Sequence, residues 1–243
     1  MTQRRRGGGH KGPGNHKIIK STPVRGLTVR VKSARGRPAG STRWLQRQLN
    51  DPYVARAKAD GYRSRSAYKL IELDDKYRIF RPGIKVIDLG AAPGGWTQVA
   101  VNRVKADQPR GGMVVAADIN SWEEVRGATC TTIDFLDPEA PDQLKLLLGG
   151  SADIVLSDMA APTTGHGPTD HLRIIGLAEA AWEFATDVLT PGGVFICKVF
   201  QGGMEAELLR EIKRRCEAVR HAKPPASRSD SAEVYLVATG FDK

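Results

Sequence analysis

The chain has 243 residues, 40% of them apolar, which suits one α/β domain with a sizeable core and an appendage. No apolar run reaches the roughly 18 residues of a membrane span, and the basic N-terminus lacks the apolar segment of a signal peptide, so a cytoplasmic protein with no membrane partner is expected. Cys130, Cys197 and Cys216 are too few, and too far from C-x-x-C spacing, for a disulfide framework or a zinc site, and they read as buried thiols.

Residues 1–50 hold thirteen of the 37 Lys/Arg and none of the 27 Asp/Glu, so they carry +13 while residues 51–243 carry −3, which together make the net charge of +10. Residues 1–41, rich in Arg, Lys, Gly and Pro, bury too little apolar surface to offset their ordering entropy. They are expected to form a disordered basic arm that binds a polyanion through phosphate contacts, with a solubilising tail as the plainer alternative.

From Ser41 the pattern changes. Trp44, Leu45, Gln48 and Leu49 suggest a short helix, and Pro52 restarts the chain. Ser64 or Ser66 can cap a second helix in which Ala67, Leu70 and Ile71 fall at i, i+3 and i+4, although Asp74 interrupts the stripe; it ends before Arg81-Pro82-Gly83. Strand and helix then alternate: strand 85–88, helix 95–105, strand 113–117, a short strand near 129–133, helix 138–148, strand 152–157, helix 170–189, strand 193–198 and helix 204–216. This pattern predicts a doubly wound, mostly parallel sheet. Two closing strands, 219–223 and 234–238, are separated by a polar loop rather than a helix and would pair antiparallel. Residues 42–243 thus read as a single domain, helices over 42–82 and an α/β core over 83–243.

The segment VIDLGAAPGGWTQVA, residues 86–100, runs a β-branched strand into a glycine-rich turn and an apolar helix. Gly90, Gly94 and Gly95 allow a sharp turn and close approach of backbone to a ligand. Ala91-Ala92-Pro93 break the G-x-G-x-x-G register of dinucleotide sites, so NAD is disfavoured. An acid ending the strand, with no phosphate-binding Lys-Ser/Thr, suits a cofactor with an amino-acid end and no phosphates, S-adenosylmethionine.

Ligands of open α/β sheets collect at the carboxyl ends of strands. There the chain places Asp88, Asp118, Asp134, Asp158 and Lys198. A buried-pattern strand that delivers Lys198 needs partners for the charge, and Asp158 and Glu233 are the candidates, with Lys69 projecting from the helix ahead of the core. Two lysines interleaved with two acids suit either an ion-pair network or proton-transfer chemistry, because a second cation and partial desolvation favour release of a lysine proton. His166 and His171 lack the spacing of a metal-ligand set and read as surface residues.

RSRSAYKL, DLGAAPGGWTQ, LSDMA, CKVFQG and EVYLVATG occur in the order seen in the FtsJ-type (RlmE) ribosomal RNA methyltransferases, which the chain resembles over roughly residues 43–240. The resemblance implies a Rossmann-like, S-adenosylmethionine-dependent methyltransferase with a mostly parallel twisted sheet and an antiparallel final strand. It also implies transfer of methyl to a ribose 2′-hydroxyl by a catalytic tetrad, Lys69, Asp158, Lys198 and Glu233, with Lys198 the choice of base. By the same resemblance Gly94 and Trp96 line the cofactor loop, Asp118 binds the cofactor ribose, Asp134 the adenine edge, and Asp158 lies near the methionine end. Simple packing of the helix start is an equal reading of Trp96.

The substrate so implied is a uridine in the A-loop of 23S rRNA within the assembled 50S subunit; the protein itself is expected to be a monomer. Transfer to tRNA and a non-catalytic, RNA-binding role in ribosome assembly are the alternatives. Arg43, Arg47, Arg56, Lys58, Arg63 and Arg65 extend the basic character toward Lys69 as a route for an RNA backbone, or form a solvated helix face. Two departures from the family pattern are a longer arm and Ala161 standing before Pro162, where proline usually follows SDMA directly.

Overall fold

The computed structural model describes residues 39–202 and 206–242. Three helices lead in, α1 (Ala39–Leu49), α2 (Pro52–Ala59) and α3 (Ala67–Tyr77). Strand β1 (Lys85–Leu89) and helix α4 (Gly95–Val104) follow, then β2 (Met113–Asp118), β3 (Thr129–Thr132), α5 (Ala140–Leu148) and β4 (Ala152–Ser157). The chain closes with α6 (Gly167–Val188), β5 (Leu189–Phe200), α7 (Ala206–Arg215), β6 (Cys216–Ala222) and β7 (Glu233–Phe241). The expected arm lies outside the described residues as far as residue 38, as do the side chains of Arg43 and Trp44.

The strands form one seven-stranded sheet in the order β3-β2-β1-β4-β5-β7-β6. β1 through β5 run parallel, while β7 inserts antiparallel between β5 and β6. Strand order reverses between β1 and β4, so the crevice for a ligand opens at the carboxyl ends of those two strands.

Alternation along the strands sends successive side chains to opposite faces. Ile87, Leu89, Val155, Phe195, Cys197 and Leu236 pack under α5, α6 and α7. Val86, Ile154, Leu156, Ile196, Tyr235 and Val237 pack with Leu70, Trp96 and Val99 under α3 and α4. By parity, Asp88, Asp158, Lys198 and Glu233 all belong to this second face.

Element types match the sequence expectation except that Pro52, read only as restarting the chain, opens a further helix, α2, with Asp51 accepting the Tyr53 N–H at its start; the other differences lie at ends. Helix α6 opens at Gly167 because Pro168 sits in its first turn, where the missing N–H is harmless. Strand β5 starts at Leu189 rather than 193, since Leu189 pairs with Ala152 before a register shift. Strand β6 starts directly at Cys216, paired with Phe241. Asp74, the interruption in the α3 stripe, turns inward, accepts the Phe80 N–H at 3.1 Å and pairs with Arg103 at 3.0 Å. Burial raises its carboxyl above the usual range, and these partners oppose the shift. Cys197 and Cys216 are buried and Cys130 is partly so.

Candidate active site

The glycine turn begins where β1 ends. Gly90 has φ 75°, and a Cβ there would come within 2.7 Å of the Met159 backbone, so only glycine lets the turn lie against the segment that follows β4. Just below, Asp88 is fully buried and its Oδ2 accepts the Thr97 hydroxyl at 2.7 Å, while Oδ1 has no partner. Burial pushes its carboxyl up to about 7; the Thr97 bond opposes the shift, and the negative charges of Asp158 and Asp118 add to it.

A cleft of about 400 Å3 opens above this turn, bounded by Gly90, Ala92, Asp118, Asp134 and Asp158, with Ile119, Ile133, Phe135, Leu136 and Leu177 as apolar walls. Its size is that of a small-molecule site. Asp118 is already committed to the architecture: Oδ2 accepts the Ala92 N–H at 2.9 Å, and Oδ1 accepts both the backbone N–H and the side-chain amide of Asn120, at 2.8 and 3.0 Å. A carboxylate offers about four lone-pair positions, so one on Oδ2 is left for a ligand hydroxyl. Asp134 uses Oδ1 on the Leu136 N–H at 3.0 Å. Among the described residues no group of three His, Cys, Asp or Glu side chains is placed to hold a metal ion.

Asp158 borders this cleft and also belongs to a polar chain beside it. Register explains the convergence: Lys198 lies opposite Tyr235, and Ser157 opposite Cys197, so position 158, one past the end of β4, continues the row of 198 and 235. Lys198 Nζ donates to the Asp158 carbonyl at 2.5 Å and to Asp158 Oδ1 at 3.1 Å. The Tyr235 hydroxyl donates to the same Oδ1 at 2.8 Å and accepts from Lys69 Nζ at 3.2 Å. Lys69 pairs with Glu233 at 2.6 Å, and Glu233 Oε1 also accepts the Ser227 hydroxyl at 3.1 Å.

Lys69 and Lys198 are 9% and 8% exposed, so each ammonium depends on these partners rather than on water. The Tyr235 phenol is held well above its ordinary range by burial, and secondarily by Asp158 and Glu233. It therefore stays protonated and donates. The four residues expected to act together do meet, and Tyr235, which links their two halves, is the one that the residue pattern missed. Its only signal was its parity with Glu233 on the last strand.

Gly94 and Trp96 sit on the helix side of the turn. Gly94 is the left-handed residue that caps α4, with φ 104°. Trp96 is 2% exposed, donates from Nε1 to the Ser66 carbonyl at 2.9 Å, and packs its ring 5.4 Å from that of Tyr235.

The basic residues ahead of Lys69 divide into two kinds. Arg47 and Arg56 form exposed pairs with Asp230 and Asp60, both at 3.6 Å, and such pairs dissolve readily. Arg65 is an internal tie: it pairs with Asp51 at 3.0 Å and donates to the Ala226 carbonyl at 2.5 Å. Arg228 reaches the same Asp51 at 3.4 Å, and Glu72 accepts both the Tyr53 hydroxyl and the Ala226 N–H, at 2.9 and 2.6 Å. These contacts strap the loop between β6 and β7 onto α2 and α3, and so bring Ser227 to Glu233.

An apolar-walled cleft whose polar positions are carboxylates suits an adenosine bearing an amino acid in place of phosphates. That demand is the mark of the α/β methyltransferases. Comparison with known proteins narrows the class: the chain belongs to the FtsJ-like methyltransferase family, which it matches over residues 62–241, and its methyl donor is S-adenosylmethionine. It is 60% identical over 240 residues to the ribosomal RNA large subunit methyltransferase E of Rhodospirillum rubrum, covering 97% of this chain and 91% of that one. The protein of the same description from Paramagnetospirillum magneticum is 63% identical over 218 residues, 89% of each chain. Among solved structures, a Plasmodium falciparum chain described as a ribosomal RNA methyltransferase superposes with a TM-score of 0.66 at 29% identity, over 74% of this chain and 99% of that one.

Proposed function

We propose that this methyltransferase modifies large-subunit ribosomal RNA, placing a methyl on the ribose 2′-oxygen of a uridine in the A-loop of 23S rRNA within the assembled 50S subunit. The observation that carries the reading is the unbroken polar chain Lys198–Asp158–Tyr235–Lys69–Glu233 on the rim of the cofactor cleft. The large-subunit description shared by the Rhodospirillum rubrum and Paramagnetospirillum magneticum relatives supports the substrate class.

S-adenosylmethionine, when bound, supplies a methyl already activated by its sulfonium. Gly90, Ala92, Asp118 and Asp134 would hold it, Gly94 and Trp96 shape the turn and helix start, and Asp158, which also lines the cleft, would lie near its methionine end. Lys198 is the general base. Its Nζ spends two N–H bonds on the carbonyl and Oδ1 of Asp158, which fixes the side chain and leaves the remaining position of the nitrogen for the incoming 2′-hydroxyl. Asp158 then neutralises the ammonium that forms.

Lys69 spends two donors on Glu233 and Tyr235 and keeps a third for the ribose. Most of the rate comes from alignment of oxygen, methyl and sulfur, since a near-attack geometry removes the entropic part of the barrier. Residues 1–41 act as the basic arm that engages RNA phosphates, and the protein works as a cytoplasmic monomer.

Large subunits from cells lacking this enzyme, incubated with purified protein and isotope-labelled donor, test the reading directly. Label is expected in 2′-O-methyluridine of the A-loop by nuclease digestion and mass spectrometry. Label on a base, or on tRNA in preference to the subunit, would overturn it.

A further inference from the structure

Two walls of the cofactor cleft are formed by Gly90 and Ala92 of the glycine turn and by residues 117–120 at the end of β2; outside the lining these segments run on through Pro93 to Gly95 and through residues 121–127. On the inner side Asp118 ties them, holding Ala92 N–H of one and Asn120 of the other. On the outer side a single guanidinium spans both. Arg63 Nη1 donates to the Pro93 carbonyl at 3.3 Å and to the Glu123 carbonyl, and Nη2 donates to the Glu124 carbonyl at 2.7 Å. Its own N–H donates to Gln98 Oε1 at 2.9 Å, and Gln98 Nε2 returns a bond to the Gly61 carbonyl at 3.1 Å, so the backbone that carries the guanidinium is fixed against α4.

The sequence makes room for this contact. A Cβ on Gly94 would lie 3.1 Å from Arg63 Nη1 and 2.8 Å from Val125 Cγ2, so glycine at 94 lets the guanidinium and the second wall close onto the turn. We infer that Arg63 is a positioning residue for the methyl-transfer reaction: by bridging carbonyls on the continuations of both walls, outside the lining, it sets the spacing of Gly90 and Ala92 from residues 117–120 and thereby the affinity for S-adenosylmethionine. This rests on the cleft at Gly90, Asp118 and Asp134 being the cofactor site. Bridging three carbonyls requires the planar fork of an arginine, because an ammonium is a point donor.

The test is titration calorimetry of S-adenosylmethionine and S-adenosylhomocysteine into the full-length protein and into Arg63→Ala, Arg63→Lys and Asp118→Ala. Arg63→Ala is expected to weaken both ligands about tenfold or more and to raise KM for the donor with a smaller change in kcat. Arg63→Lys should stay close to Ala, since charge alone cannot restore the bridge. A merely structural arginine would instead lower the melting temperature and leave the dissociation constants of the folded fraction unchanged, which overturns the inference. Full recovery in Arg63→Lys also overturns it. Unchanged affinity in Asp118→Ala removes the cleft assignment itself, whereas loss there with wild-type affinity in Arg63→Ala removes the clamp alone.

Discussion

Asp88 offers the sharpest quantitative test, because its carboxyl is fully buried, half-satisfied and held at about 7 in the folded chain. In the unfolded chain an aspartate titrates near 4. The native state therefore binds the extra proton between about pH 4 and 7, and stability falls across that window as pH rises. The full cost, reached above the folded value, is roughly three pKa units, about 4 kcal/mol. Of this, about 3 kcal/mol develops between pH 5 and 8.

Asp88→Asn removes the titration while its amide oxygen can still accept the Thr97 hydroxyl. Urea denaturation of both proteins from pH 5 to 8 gives the comparison, since all other titrating groups are shared. The stability of Asp88→Asn minus that of the wild type should climb by about 3 kcal/mol over this range. A difference constant to within about 0.5 kcal/mol, the ordinary scatter between independent sites, would refute the account of a neutral acid under the turn.

Three further outcomes follow from the site. Lys198→Ala should lower methyl transfer by about 10²–10⁴-fold, the usual share of a general base, with donor affinity retained in calorimetry; full turnover would remove Lys198 from that role. Tyr235→Phe deletes the hydroxyl between Asp158 and Lys69, so kcat should fall about tenfold or more at unchanged donor affinity, and urea stability should drop by about 1.5–3 kcal/mol. Gly90→Ala combines a left-handed φ, which costs about 1–2 kcal/mol in itself, with a collision against the Met159 backbone. Gly83→Ala shares the left-handed φ, 86°, but meets nothing within 4 Å, so thermal melts should show the larger loss at Gly90, and equal losses would deny the collision.

The fold was legible because strand and helix periods alternate cleanly after Gly83, and because parity alone places Asp88, Asp158, Lys198 and Glu233 on one face. The cluster was legible because a lysine delivered by a buried strand demands partners. What stayed hidden are contacts whose partners are backbone carbonyls distant in sequence. Arg63 and Arg65 looked like part of a basic route for RNA, yet they bind the carbonyls of Glu124 and Ala226, 61 and 161 positions away. No periodicity marks a guanidinium for such a task. The spare capacity of Asp118 was hidden for the same reason, since its ties to Ala92 and Asn120 exist only once the turn has formed.

The strap of contacts joining Asp51, Tyr53, Arg65, Glu72 and the loop before β7 also bears on how such an enzyme can be re-engineered. Asp51, Tyr53, Arg65 and Glu72 all hold the loop that brings Ser227 to Glu233, so a graft that exchanges target-recognition modules must make its junction upstream of Asp51. A splice placed later, at the apparent start of the sheet, would transplant a scaffold stripped of an amine, a wall brace and the support of its last carboxylate.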